Sequence, residues 1–194
     1  NVEINDSTSK GKLTVSNASD INIQNSNASG ADLTSNKNIT ITGNGADNKM
    51  GDVVATAKNA GDITVTGMKA KSLNLTSEQA TTLYNFKDAS LNQQNQQAQL
   101  VGKDTVNETG RGSVEVTNTD VDGLSTILAN NITVSGGSAG SLNATAENKR
   151  LSLGSTDLFD SENVGTVNLT TYSVKNQNND TITRGFQTKS GDMN

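Results

Sequence analysis

The chain has 194 residues, a formal net charge of -5, and no Cys, His, Pro or Trp. Those absences exclude thiolate and imidazole catalysis, Ser-His-Asp and Cys-His arrangements, and zinc sites of the usual Cys/His kind. Mild acidity argues against nucleic acid and anionic membrane surfaces as partners, and no apolar stretch approaches the roughly 20 residues of a membrane span.

Val, Ile, Leu and Phe total 40 residues, close to the composition at which chains fail to collapse. The low net charge lacks the other half of the disorder signature. A fold with a thin core, needing few apolar residues per turn, reconciles the two. The missing Cys does not require a reducing compartment and is compatible with export in an unfolded state. The sequence opens on Asn1 with no visible signal peptide, so a mature form or an excised piece of a longer protein is expected.

Along the chain one short pattern recurs: two apolar residues separated by one polar residue. The pairs are Val2/Ile4, Leu13/Val15, Ile21/Ile23, Ile39/Ile41, Ile63/Val65 and Leu73/Leu75. They resume at Val114/Val116, Ile132/Val134, Leu142/Ala144, Leu151/Leu153 and Val167/Leu169. Alternation with period two marks strands with one buried face. The Thr, Asn, Glu or Ser between each pair points to solvent. Several pairs recur every 8 to 11 residues; others are about twice as far apart, as if one strand were less obvious. Short strands at this spacing, joined by Gly/Asn/Asp turns, predict all-β structure. A β-solenoid or β-helix-like repeat is expected, because each of its turns needs only a few inward aliphatics. The alternative is a β-sandwich, which calls for more aromatics.

The stretch 62–79 (DITVTGMKAKSLNLTSEQ) aligns with 131–148 (NITVSGGSAGSLNATAEN), sharing Gly67/Gly136, Leu73/Leu142 and Glu78/Glu147. This predicts an internal duplication. Between the copies, Thr76 and Gln79 form a capping-box pattern, and a short helix over EQATTLYNF is expected, with Tyr84 and Phe86 plugging a gap in the core. The Gln-rich run from Asn92 to Gln99 reads as a polar loop or helix extension. The expected organisation is therefore a β-rich repeat segment over 1–75, an irregular or short helical insertion over 76–110, and a second β-rich segment over 111–194.

Asn118, Asp120 and Asp122, followed by Gly123, match the opening of an oxygen-rich calcium loop. The twelfth position is Ala129 rather than a bidentate Glu, so a helix-loop-helix site is excluded. The competing reading is an ordinary strand with outward Asn and Asp that ends in an Asp-Gly turn. Asp47, within the Gly43–Gly51 stretch, partly matches the glycine/aspartate nonapeptide of calcium-binding β-rolls, against the plainer reading of a glycine-rich hairpin loop. Calcium is thus the one cofactor to consider, with Asp120 and Asp122 ahead of Asp47. Asp157, Asp160 and Glu162 read as a solvated loop. Paired carboxylates also keep a polysaccharide-cleaving β-helix enzyme in view, but two Tyr, three Phe and no Trp leave little to stack on sugars. No enzymatic activity is expected.

The strings GKLTVSNASDINIQN (11–25), NKNITITGNGADNKMGD (36–52) and GDITVTGMKAKSLNLTSEQATTL (61–83) resemble secreted bacterial β-rich surface proteins of two families. One is the Gram-negative surface-layer protein related to β-roll exoproteins, which uses ITxTG followed by LxLTxxQ phrases. The other is the filamentous-haemagglutinin type of adhesin, a parallel β-helix with GDIxVxG and LNLTS phrases. The resemblance implies export, an extracellular cell-surface location and a scaffold role. Its two functional implications are a structural component of a surface layer or filament, and the stalk or binding segment of an adhesin. The partners it implies are identical subunits, cell-envelope polysaccharide or host surface molecules. The β-roll calcium repeats are not present in tandem.

Overall fold

A computed structural model of the chain describes the backbone of residues 1–80, 91–92, 97–98, 110–153, 158–164, 166–170 and 173–174, with side chains for 1–80 and 110–146. The strands are β1 (Val2–Asn5), β2 (Lys12–Ala18), β3 (Ile21–Gln24), β4 (Ala28–Ser35), β5 (Ile39–Thr42), β6 (Lys49–Ala57), β7 (Ile63–Thr66) and β8 (Lys69–Ser77). They continue as β9 (Leu91–Asn92), β10 (Gln97–Ala98), β11 (Ser113–Ala129), β12 (Asn131–Leu153), β13 (Leu158–Val164), β14 (Thr166–Thr170) and β15 (Ser173–Val174). A 3-10 turn, Gly45–Asp47, lies between β5 and β6.

The alternating apolar pairs do what period two requires: each strand buries one edge row and exposes the other. The strands are short, so one strand cannot close a core alone. The chain instead coils, laying each turn in parallel on the last, as a β-solenoid of about six turns. Coil 1 spans 2–18, coil 2 21–35, coil 3 39–57, coil 4 63–77, coil 5 113–129 and coil 6 131–146. Each coil contributes one strand segment to each of two parallel faces. The first face pairs β1–β3–β5–β7 and then the starts of β11 and β12, followed by β14. The second face pairs β2–β4–β6–β8 and then the later parts of β11 and β12, followed by β15.

Register turns the apolar pairs into ladders through the stack. On the first face, Val2, Ile21, Ile39, Ile63, Val114, Ile132 and Val167 stand one above another, as do Ile4, Ile23, Ile41, Val65, Val116, Val134 and Leu169. From Ile21 to Val134 these side chains are fully buried, while Val2 and Ile4 of coil 1 are half-buried. Each buried aliphatic contributes about 1.5–3 kcal/mol relative to exposure. Among the described residues, the core of coils 2–6 holds no aromatic side chain.

The second face supplies the strands that the apolar pairs miss. Its ladders run Leu13, Ala31, Val53, Leu73, Ser125, Leu142 and Val15, Leu33, Ala55, Leu75, Ile127, Ala144. Ala and Ser alternate there with larger side chains, so β4, β6 and the later half of β11 lack two bulky residues in tandem. Register shifts interrupt this face between Val15 and Ala18 and between Val121 and Leu124.

Two polar corner stacks join the faces. After the first-face strands of coils 1, 2, 4, 5 and 6, the next residue takes left-handed backbone: Asp6 (φ 47), Asn25 (φ 46), Gly67 (φ 65), Asn118 (φ 48) and Gly136 (φ 62). Only Gly, Asn and Asp adopt that region at small cost. Gly67 and Gly136 match in the duplicated stretches because they turn the same corner of coils 4 and 6. At the opposite corner, Asp20, Asn38, Asp62 and Ser113 stack. The Asp62 backbone N–H donates to Asn38 Oδ1 at 3.0 Å, and the Ser113 N–H to Asp62 Oδ1 at 2.7 Å.

Among the described residues the chain departs from the stack twice, at one and the same corner. Between Ser77 and Ser113 it leaves and returns at adjoining points: the Ala80 N–H donates to the Gly110 carbonyl at 3.3 Å, and Arg111 Nη1 donates to the Ser77 carbonyl at 2.9 Å. Coil 5 then pairs directly with coil 4. After Ala146, the equivalent corner of coil 6, β12 runs on to Leu153 and pairs antiparallel with β13.

Several expectations meet corrections here. The Leu151/Leu153 pair belongs to that antiparallel excursion and not to a coil. Asp160 and Glu162 lie in β13, not in a loop. Within the Gln-rich run expected as a polar loop or helix extension, Asn92 and Gln97–Ala98 lie in the short antiparallel pair of β9 with β10, and the rest lies outside the described residues. Residues 78–80 are not helical, and the rest of the expected helix, with Tyr84 and Phe86, lies outside the described residues, as does Asp157.

Candidate functional surfaces

The residues singled out for cation binding fall on two different coils. Asn118 occupies the left-handed corner of coil 5, where the backbone itself selects Asn, Asp or Gly. Asp120 and Asp122 follow on β11, both exposed. As positions i and i+2 of a strand, their Cα atoms lie roughly 6.6 Å apart. Asp120 Oδ1 accepts a hydrogen bond from Ser138 Oγ at 2.9 Å, and its neighbour in register on the other side is Lys69. The strand does not end in an Asp-Gly turn. Asp122 and Gly123 together oppose the single residue Gly140, a β-bulge, and Leu124 just beyond it is, among the described residues, the large apolar side chain left exposed.

Asp47 sits in the 3-10 turn of coil 3, which carries the chain from β5 on the first face to β6 on the second and is not a hairpin loop. The Lys69 N–H donates to the Asn48 carbonyl, and the Asp120 N–H to the Met68 carbonyl. A strand of coil 4 therefore separates Asp47 from Asp120, placing them two coils, roughly 10 Å, apart. Asn48 is buried and its Oδ1 accepts the Asn44 N–H, so its side chain braces the turn from within. Among the described residues, no three Asp or Glu side chains converge as a cation cluster.

The outer surfaces of the two faces differ in chemistry. The second face carries charge. Lys12 Nζ lies 3.1 Å from Asp32 Oδ2, and Lys71 Nζ lies 3.5 Å from Asp52 Oδ2. Asp52 also accepts a hydrogen bond from Ser72 Oγ at 2.7 Å. The Ser72 hydroxyl, and then Lys71, hold the Asp52 carboxyl below the ordinary aspartate value near 3.8. Both ion pairs are well exposed and contribute little to stability.

The first face carries hydroxyls. Over coils 3–6 its outward positions form two columns, Thr40–Thr64–Glu115–Thr133 and Thr42–Thr66–Thr117–Ser135. Seven of the eight bear a hydroxyl, and all seven are half-buried. No register shift interrupts these strands from β1 to β7 or where β7, β11 and β12 pair. Composition showed the wealth of Thr and the polar residue between each apolar pair. The columns emerge only once the coil length is known, because their members are 18 to 51 residues apart in sequence.

A third polar set lines the corners, buried at Ser26, Ser35, Ser77 and Thr119 and exposed at Ser7 of coil 1. Ser7, Ser26 and Thr119 hold the same position two residues past the first-face strand, and each hydroxyl donates to the carbonyl two residues earlier: Asn5, Gln24 and Thr117. Ser35 and Ser77, fully buried, donate to the Ser19 and Gly61 carbonyls at 2.6 and 2.7 Å. These hydroxyls satisfy corner carbonyls that the coil turns inward. The buried Ser125 Oγ makes no hydrogen bond. Compared with known proteins, the chain matches no family model, no curated protein and no solved structure.

Proposed function

We propose that this chain is a non-catalytic structural component of an extracellular bacterial surface assembly, a surface layer or filament built from identical subunits. The observation that carries this reading is the pair of unbroken aliphatic ladders beneath a regularly repeating polar exterior. Such a stack is stiff along its axis, leaves few backbone groups free along its length, and needs no cofactor for its core. No helix among the described residues is long and apolar enough to cross a membrane. Electron microscopy of the full-length protein on cells tests the proposal. An ordered lattice or filament is the expected result, and a cell surface without either overturns it.

The adhesin reading keeps one specific observation in its favour. The two departures from the stack leave the equivalent corner of coils 4 and 6, so their roots share one side of the solenoid. Isolated projecting fibres, with loss of attachment to host cells or envelope polysaccharide when 81–109 is replaced by a short linker, would favour that reading.

Within the same proposal, Asp120 and Asp122 take calcium weakly, as two exposed carboxylates of one strand. Calorimetry at millimolar calcium should show small heats that Asp122→Ala removes. Heats that survive in Asp122→Ala but vanish in Asp47→Ala would move the site to the coil 3 turn, and the absence of heat rejects both.

A further inference from the structure

The hydroxyl columns of the first face are more regular than folding requires. Strand propensity favours Thr, Val, Ile and Tyr on any outward strand position, and it acts equally on both faces. The second face has one comparable column, Thr34–Thr56–Thr76–Leu128–Thr145, but the column beside it mixes Asp32, Val54, Asn74, Thr126 and Asn143, and the face tolerates register shifts. The first face over coils 3–6 holds Thr40, Thr42, Thr64, Thr66, Thr117, Thr133 and Ser135, with Glu115 as the single charge.

The spacing of this grid follows from the backbone. Neighbouring coils are about 4.8 Å apart, and outward residues of one strand about 6.6 Å apart. β-Branching leaves Thr few χ1 choices, so its methyl and hydroxyl stand at defined positions. Each hydroxyl can donate and accept. Thr117 Oγ1 lies 3.4 Å from Ser135 Oγ, so hydroxyls of adjacent coils come within reach of each other. The result is a two-dimensional lattice of methyl and hydroxyl groups, nearly free of charge.

A surface of this kind fits a partner that is itself periodic, uncharged and made of donors and acceptors. A protein partner calls for aromatic or Arg anchors, and a sugar surface for aromatic rings to stack on. The first face has none. Ordered water requires neither: methyl groups favour cage-like neighbours, and hydroxyls join them. We propose that the first face over coils 3–6 binds the ordered water lattice of an ice surface, independently of any role in surface assembly.

Glu115 makes the proposal sharp. It breaks one column, and its Oε1 also accepts the Thr117 hydroxyl at 3.3 Å, which turns that group from the lattice. The test uses the full chain and measures thermal hysteresis and inhibition of ice recrystallisation. The unmodified protein should show both. Glu115→Thr completes the grid and should raise them several-fold at equal concentration. Thr64→Tyr keeps strand propensity but should abolish them, while Asp52→Asn on the second face leaves them unchanged. Circular dichroism melts confirm that all three variants fold. Absence of both activities in the unmodified chain and in Glu115→Thr overturns the proposal. So does full activity in folded Thr64→Tyr.

Discussion

The two faces of the solenoid are made by the same coils, yet they solve the packing problem differently. Through the six coils the first face repeats one solution: two β-branched aliphatics per strand, Ile or Val, in unbroken register. The second changes from coil to coil, pairing Leu13 with Val15 and Leu73 with Leu75 but Ala with Leu, Val with Ala, Ser with Ile or Leu with Ala elsewhere, and absorbs the misfit in bulges beside Val15 and Val121. Large side chains there sit over small ones, as Leu33 and Leu75 flank Ala55. Volume is conserved across neighbouring coils and not within each coil. A face can thus be stable without being periodic, and periodicity on the first face is a separate property from stability.

The largest effect expected from breaking this arrangement is a charge in a first-face ladder. Ile63→Asp and Ile132→Asp each bury a carboxylate without a partner in a core only a few side chains wide. A loss of about 4 kcal/mol or more is expected, seen as local or global unfolding in a thermal melt. Thr64→Asp and Thr133→Asp face outward and should cost under about 1 kcal/mol. That small cost arises because both stand beside Glu115, and like charges directly across strands repel. Equal damage from Ile63→Asp and Thr64→Asp would contradict the inward assignment of Ile63.

A smaller effect separates two meanings of Asn118. As a corner residue with φ 48, it should be replaceable by Gly with little change in melting. A β-branched substitute such as Asn118→Val should cost about 1–2 kcal/mol. A cation ligand would give the opposite pattern: Asn118→Gly would abolish calcium heats as fully as Asn118→Val. Comparing melting with calorimetry in the two variants distinguishes them.

Smaller again is the gain expected at Ser125. Its buried hydroxyl has no partner in a rung shared with Leu73 and Leu142. Ser125→Ala removes the unsatisfied group without adding volume and should stabilise by up to about 1 kcal/mol. Destabilisation would mean that a water or another group satisfies the hydroxyl.

The smallest effect is at Asp52 on the second face. Its carboxyl titrates lower in the folded chain than in the unfolded one, owing to Ser72 and then Lys71. The associated stability is present above the ordinary aspartate value and is lost as pH falls through the lowered one. Wild type and Asp52→Asn should therefore differ slightly at neutral pH and converge in strong acid. A difference that grows on acidification would reverse the sign and refute the assignment.

The first face was legible in the sequence because each strand writes its two inward residues as a bulky pair. The solenoid followed from that pattern and from the shortage of aromatics. The second face was legible only at Leu13/Val15, Leu73/Leu75 and Leu142/Ala144. Elsewhere Ala31, Ala55 and Ser125 hide inward positions in plain polar or small-residue text, and the bulges shift the alternation by one. Asn118 fits two readings in the sequence, because a left-handed corner and an oxygen-rich loop ask for the same residue types. The neighbouring coils, which place Gly67 and Gly136 on either side of it, account for the corner role.

The way coil 4 hands over to coil 5 bears on how such a chain can change length over generations. Ala80 and Gly110 touch, so the sheet does not register how much sequence lies between them. For an intervening chain the entropic penalty grows only logarithmically, about 0.6 kcal/mol per doubling. The corresponding turn of coil 5, at Asn130, crosses in a single residue between β11 and β12, flanked on both sides by coils that already carry additions. Grafting a peptide there would leave the ladders in step, making that turn a natural place to add an epitope, a label or a second binding element to a stack that keeps its own count.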